Sequence, residues 1–361
     1  MRVLIIFNHP APYKVNAFNE LAKYVDLTVI FERTKAKDRP DSFYKDNKYN
    51  FNVIFLKDGY VGNEGTVSSN VKNYISKLHH EYDIIIMNGY SHLAEIKAIN
   101  YMHKHHIKFG LLINGGVVKK ETCLKRKYKT SLVKKPAFYI SPSQKSNEYL
   151  EYYGADKSHI YNYYYSNFFK SEISSATKEE KDAFRKKYNL PLDSKIFINP
   201  SQFIERKNIL FLISLFKDRK DTLLLVGSGK LQKKYEQYIA QNNMKNVIIL
   251  PYQKKKELFE LYKASDVHIT LSKQDIFGHT VLESFANGVP VISSKNVVSA
   301  MEYIKDGYNG YFVDLDDKES IIKAMDKCDS SMGENAMNSA YNNTFENSAL
   351  SIYQILKDLN E

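Results

Sequence analysis

Residues 271–294, LSKQDIFGHTVLESFANGVPVISS, place an acid, Asp275, ahead of Phe277 and Gly278, and a second acid, Glu283, eight positions after the first. The apolar runs at 269–271 and 289–292 predict short buried strands. Residues 280–287 between them predict a helix that opens just after a glycine and is closed by Gly288. A glycine ahead of a helix lets backbone N–H groups approach an anion, and the helix N-terminus adds partial positive charge there. The pattern suits one end of a nucleotide diphosphate, with Asp275 and Glu283 on either side to take sugar or ribose hydroxyls.

Outward from this stretch, strands and helices alternate along the whole chain. Strands are predicted at 2–8, 27–31, 51–56, 82–87, 108–113 and 137–141, with helices at 15–24, 71–79 and 94–105. Residues 170–187 are polar and rich in Ser, Lys and Glu, and read as a linker region plus a first helix. Alternation then restarts with strands at 195–199, 222–226, 247–250, 267–271 and 289–293. Strands alternating with helices predict parallel, doubly wound sheets whose ligands bind beyond the strand carboxyl ends. Two α/β domains follow, 1–169 and 195–346, joined through 170–194. A chain of 361 residues is long enough for both.

Composition narrows the partners. The net charge of +11 suggests an anionic one: nucleic acid, acidic lipid or a phosphorylated substrate. Much of that charge is concentrated at 117–135, VVKKETCLKRKYKTSLVKK. There Lys119, Lys120, Lys125, Arg126, Lys127, Lys129, Lys134 and Lys135 interleave with Val117, Val118, Leu124, Tyr128, Leu132 and Val133. Such a segment either lies on an acidic membrane surface or forms a solvated basic helix. The two cysteines, Cys123 and Cys328, have neither metal nor redox spacing and fit a reducing cytosol. The first apolar run is too short for a signal peptide, and no apolar stretch approaches the roughly 20 residues that span a bilayer. A cytoplasmic protein, peripheral on the inner face of the cell membrane, is expected.

The signature resembles that of the retaining glycosyltransferases of family 4 (glycosyl transferases group 1), which adopt the GT-B fold. That signature is Glu, seven residues, Glu, with Phe-Gly inside and Gly-x-Pro-Val-Ile after. Phe277, Gly278, Glu283, Gly288, Pro290, Val291 and Ile292 keep it, while Asp275 replaces the first Glu. Glu205-Arg206-Lys207-Asn208 after the strand at 195–199, Gly227-Ser228-Gly229 after 222–226, and Asp306–Gly310 before 311–313 extend the likeness over the C-terminal half. The resemblance implies two Rossmann-like domains facing across a cleft, with an N-terminal acceptor domain onto which the last helix, 347–361, packs back.

By the same resemblance, Lys207 and Arg206 neutralise the departing diphosphate without a metal. Glu283 takes the ribose hydroxyls and Asp275 the donor sugar, about 1.5 Å shorter in reach than a Glu. Amides of Gly278, His279, Thr280 and Val281 cradle the diphosphate, beside Phe277 and Gly227. Gln202 stands where the family has a second basic residue; it donates a hydrogen bond but supplies no charge. Asn114, Gly115 and Gly116 end the strand at 108–113, near the reacting sugar. The loop at 9–14 also faces the cleft, with His9 and Lys14 as acceptor contacts.

The string Asp314-Leu315-Asp316-Asp317 mimics a metal-binding Asp-x-Asp, but it follows a strand in the wrong domain and reads as a solvated turn. No metal or cofactor is expected. The resulting expectation is a hexosyl- or N-acetylhexosaminyltransferase using a UDP-sugar. Its acceptor is a lipid-linked or other glycan in bacterial surface polysaccharide or glycoconjugate synthesis. An impaired scaffold subunit of the same fold and a nucleic-acid-binding protein are the alternatives. A sequence-independent nucleic-acid groove calls for basic residues interleaved with aromatics along its length, whereas the basic run here is confined to one segment.

Overall fold

The computed structural model describes residues 1–36, 43–56, 60–62, 65–67 and 71–361. They form two compact units. One comprises Met1–Phe168 with Asn343–Glu361, and the other Phe169–Asn342.

In the first unit the order is β1 (Arg2–Phe7), α1 (Pro12–Leu21), β2 (Asp26–Phe31), β3 (Asn52–Phe55), β4 (Tyr60–Gly62), β5 (Gly65–Val67), α2 (Val71–Leu78), β6 (Ile84–Asn88), α3 (Leu93–Lys104), β7 (Gly110–Leu112), α4 (Cys123–Val133), β8 (Phe138–Ser141), α5 (Gln144–Tyr152) and β9 (Ile160–Asn162). Seven strands pair in the order β3-β2-β1-β6-β7-β8-β9, all parallel, while β4 and β5 make a separate antiparallel pair. β1 and β6 are buried along almost their whole length, so they read as continuous apolar runs. The order reverses between β1 and β6, which makes their carboxyl ends the switch point of this sheet.

The second unit runs α6 (Lys178–Lys187), β10 (Ile196–Pro200), α7 (Ile209–Ser214), β11 (Thr222–Val226), α8 (Gln232–Gln241), β12 (Val247–Leu250), α9 (Lys255–Ala264), β13 (Val267–Thr270), α10 (Thr280–Ala286), β14 (Val291–Ser294), α11 (Val298–Tyr303), β15 (Gly310–Val313), α12 (Lys318–Lys327) and α13 (Gly333–Ala340). Its sheet is also all parallel, ordered β12-β11-β10-β13-β14-β15, with the reversal between β10 and β13. The core gathers Phe197, Phe203, Phe216, Leu223, Leu225 and Ile269, all fully buried.

The last helix, α14 (Phe345–Asn360), belongs to the first unit. Its Tyr353 ring stacks on Tyr24 just past α1, with centroids 5.2 Å apart, and Phe345 N–H donates to Phe168 O at 2.9 Å. Among the described residues no helix is long and apolar enough to cross a membrane.

Boundaries differ from expectation where backbone chemistry overrides the apolar pattern. α1 starts at Pro12 rather than 15, because proline's fixed φ and missing N–H suit a first helical position. The loop after β1 is therefore short, and Lys14 lies on the helix. β9 escapes the sequence pattern: it is three residues long and no more than half-buried.

Candidate functional site

Three loops at the carboxyl ends of the second sheet are tied together around Asp275. β10 ends at Pro200, and a single tight turn at Glu205–Lys207 follows. Asn208 then takes a left-handed conformation, φ 56°, where α7 begins. That conformation suits Asn better than most residues. Lys273 N–H, in the loop after β13, donates to Arg206 O at 2.8 Å. The Asp275 amide in turn donates to Asn296 O at 2.9 Å, in the loop after β14.

Within this frame the Lys207 ammonium donates to the Asp275 carboxylate, both side chains being almost buried. Arg206 Nη1 lies 3.3 Å from the other Asp275 oxygen and 3.1 Å from Gln274 O. Two cations and one carboxylate thus share a spot with a net positive charge. Such a spot suits an incoming diphosphate.

Gly278 sits at φ +89°, a region glycine favours, and a Cβ there would lie 2.6 Å from Val297 Cγ1. Its carbonyl accepts from Ser299 Oγ at 2.7 Å. Phe277 is buried, its ring 5.1 Å from that of His279. α10 has only seven residues, too few for a strong dipole, so the helix N-terminus contributes less than the residue pattern suggests. Of the four amides expected in the cradle, that of Val281 donates to Gly278 O at 3.2 Å.

Glu283 is half-buried on α10. The hydroxyl of Tyr262, on α9, donates to Thr280 O at 3.1 Å and to Glu283 Oε2 at 3.4 Å. Tyr262 escapes sequence reading, since nothing local marks one tyrosine among 28. His268 on β13 is a second omission. It is fully buried, its ring 5.8 Å from that of Tyr262, and neither ring nitrogen has a hydrogen-bond partner among the described residues. Burial first, and then the Lys207 charge, lower its pKa to about 3. Its one sequence signal is a histidine within an otherwise apolar strand.

Gly227 and Gly229 close β11 against the loop after β10. Cβ atoms there would lie 2.0 Å from Ser201 O and 2.6 Å from Phe203 O. Gln202 lies on that same loop, half-exposed. A pocket of about 650 Å³ opens among the segments that follow β10, β13, β14 and β15, its lining including Asn208, Lys273, Lys295, Asn296, Asp314 and Asp316. Asp317 caps α12 by accepting from Ser320 N–H at 2.9 Å.

The remaining candidates lie in the first unit. Asn114 donates to Asn88 Oδ1 at 3.0 Å, and its own Oδ1 is buried without a partner among the described residues. Gly115 has φ +136°, and a Cβ on Gly116 would strike the Tyr149 ring at 2.6 Å. His9 faces Tyr44, with 3.2 Å between Nδ1 and the hydroxyl. Lys14, expected as an acceptor contact, is 4% exposed, its ammonium 4.2 Å over the Tyr165 ring, and burial lowers its pKa to about 7.

On the basic segment, Lys119, Lys120, Lys125, Arg126 and Lys127 are exposed. Arg126 lies over Tyr152 at 4.3 Å. Lys129 departs from the expected contact role: it pairs with Glu121 at 2.7 Å and donates to the Tyr153 hydroxyl at 3.0 Å. Leu132 and Val133 likewise turn into the core, while Leu124, Tyr128 and Val118 stay exposed.

Residues 180–343 match the sequence model of glycosyl transferases group 1. The paired doubly wound parallel units are the GT-B fold. An uncharacterized glycosyltransferase of Methanocaldococcus jannaschii is 25% identical over 165 residues, 44% of this chain and 47% of that protein. The lipopolysaccharide core biosynthesis glycosyltransferase LpsE of Rhizobium meliloti is 27% identical over 145 residues, 40% of this chain and 42% of its own. The aligned part is thus under half the length of each of these relatives. The crystal structure of Anabaena HepE in complex with UDP superposes with a TM-score of 0.78 over 99% of both chains, at 17% identity.

Proposed function

We propose that the chain is a retaining glycosyltransferase of family 4. It moves a hexosyl or N-acetylhexosaminyl group from a UDP-sugar to a membrane-associated, lipid-linked or other glycan acceptor. The observation that carries this reading is the convergence of Lys207 and Arg206 on Asp275, beside Gly278 and Glu283, at the strand ends of a group 1 unit. HepE, of like fold, binds UDP, and LpsE builds lipopolysaccharide core. Both support a nucleotide-sugar donor and a role in surface glycan synthesis.

In this reading Lys207 swings from Asp275 to the diphosphate and stabilises the charge that builds as the glycosidic bond breaks. Asp275, freed, accepts from a donor-sugar hydroxyl, while Glu283, steadied by Tyr262, accepts from the ribose. Acceptor and leaving phosphate share one face of the sugar, so the phosphate oxygen takes the acceptor proton and configuration is retained. The protein's work is positioning and electrostatics, and the diphosphate needs no metal. The exposed lysines beside Leu124 and Tyr128 dock the protein peripherally on an acidic inner membrane face.

Hydrolysis of a panel of UDP-sugars, with and without excess EDTA, tests the donor site. Lys207→Ala and Glu283→Ala should each lower kcat/KM by about 2–4 kcal/mol, some thirty- to thousand-fold, while melting normally. Hydrolysis by the parent should persist in EDTA. Near-normal turnover in both variants would sink the donor assignment. Full loss on chelation, restored by magnesium or manganese, would sink the metal-free diphosphate site.

A further inference from the structure

A second polar cluster lies at the strand carboxyl ends of the first unit. Glu32 directly follows β2, its amide donating to Phe7 O at 2.9 Å, so it stands at the carboxyl end of the sheet beside β1. Gly89, at φ +90°, turns the chain after β6 toward His92, and Glu95 lies in the first turn of α3. Glu95 Oε2 accepts from the amides of Ser91 and His92 at 2.5 and 2.9 Å. That fixes the carboxylate and leaves Oε1 3.4 Å from His92 Nδ1. One ligand atom each of Glu32, His92 and Glu95 lies within 4.8 Å of the others.

Glu32 and Glu95 are each 2% exposed, so the cluster sets two buried carboxyl groups side by side with an imidazole. Ionised carboxylates brought together in a buried site are costly unless they share a cation. Arg33 also bears on Glu32, so with both acids ionised the three charged groups sum to −1. One divalent ion would reverse that charge and give both carboxylates a common partner.

We propose that Glu32, His92 and Glu95 bind one divalent transition ion of the zinc or manganese kind at the carboxyl ends of β2 and β6. Two carboxylate oxygens and an imidazole nitrogen form a mixed set that suits such ions, whereas magnesium prefers oxygen alone. Three protein ligands leave a coordination position open to a hydroxyl, phosphate or carboxylate oxygen. The fixed Glu95 orients the set, and small side-chain movements would bring all three ligand atoms to metal–ligand distances of about 2.1 Å.

Equilibrium dialysis of the full chain against zinc, with metal counted by elemental analysis, tests the site. The exposed Cys123 is first replaced (Cys123→Ser) to remove a competing thiol. One zinc per chain is expected, with Glu32→Gln and His92→Asn each binding at least tenfold more weakly. Zinc should raise the melting temperature of the parent and leave that of both variants unmoved. Absence of stoichiometric binding, or equal binding in the variants, would overturn the site. Should a variant fail to fold, the parent decides: selective broadening of the His92 ring resonances by manganese supports the site, and sharp resonances overturn it. Because these readouts are of binding alone, they fail or succeed independently of the donor assignment.

Discussion

Lys207 and Asp275 hold one another with both side chains almost buried, and the more exposed Arg206 flanks them. On the function proposed above, a diphosphate entering there would offer Lys207 two anionic groups in place of one and release Asp275 for the sugar. His268 lies behind this exchange, without a partner and kept neutral by burial and by Lys207. Its depressed pKa links stability to pH. In the unfolded chain the imidazole takes up a proton near its ordinary 6.5, while the folded chain holds off until about 3. As pH falls through that window the unfolded state binds more protons, so stability present above 6.5 is progressively lost. Replacing His268→Leu should remove this part of the acid sensitivity. Urea midpoints at pH 7.5 and 4.5 check it: the parent should lose more between them than the variant, and equal losses would exclude His268 as the linked group.

At the scale of elements, the loops of the second unit depend on close backbone approach. Gly227 has φ +147°, and any Cβ there would lie 2.0 Å from Ser201 O. Gly227→Ala must therefore part the loops after β10 and β11, destabilising the chain by about 2–4 kcal/mol. Denaturant unfolding should show an earlier midpoint, and an unchanged midpoint would mean the loops separate freely. These loops were also the most legible part of the sequence, because strand ends, glycines and acids fall within short spacings that local chemistry sets. β10 to β15 and the signature from Asp275 to Ile292 could be placed for that reason. Tyr262, His268 and the inward turn of Lys129 depend on partners brought together by folding, Glu283 for one and Glu121 and Tyr153 for another. No spacing announces such pairs. In α1 the apolar pattern starts at Val15, whereas proline chemistry starts the helix three residues earlier, at Pro12.

For the whole molecule, much of the net charge of +11 is concentrated on residues 117–135, the segment proposed above to dock on a membrane. Lys119, Lys120, Lys125 and Lys127 are exposed near Leu124, which is 80% exposed, and Tyr128 at 51%. Exposed apolar side chains among lysines suit an acidic bilayer, where the rings and methyls enter the headgroup boundary and the ammonium groups meet phosphates. Each lysine near such a surface is worth about 1 kcal/mol, and the field decays within about 8 Å at physiological ionic strength. Replacing these four with Gln should weaken binding to vesicles containing acidic lipid by about three orders of magnitude. It leaves Arg126 over Tyr152 and Lys129 on Glu121, so melting should not change. Parent binding should need acidic lipid and fade as salt rises. UDP-sugar hydrolysis should be untouched, because Lys207, Arg206, Asp275 and Glu283 belong to the other unit, while transfer to a lipid-linked acceptor should slow. Vesicle binding equal to the parent's would reduce α4 to a solvated basic helix. RNA binding that is tight in the parent and lost in the same variant would assign the charge to nucleic acid instead.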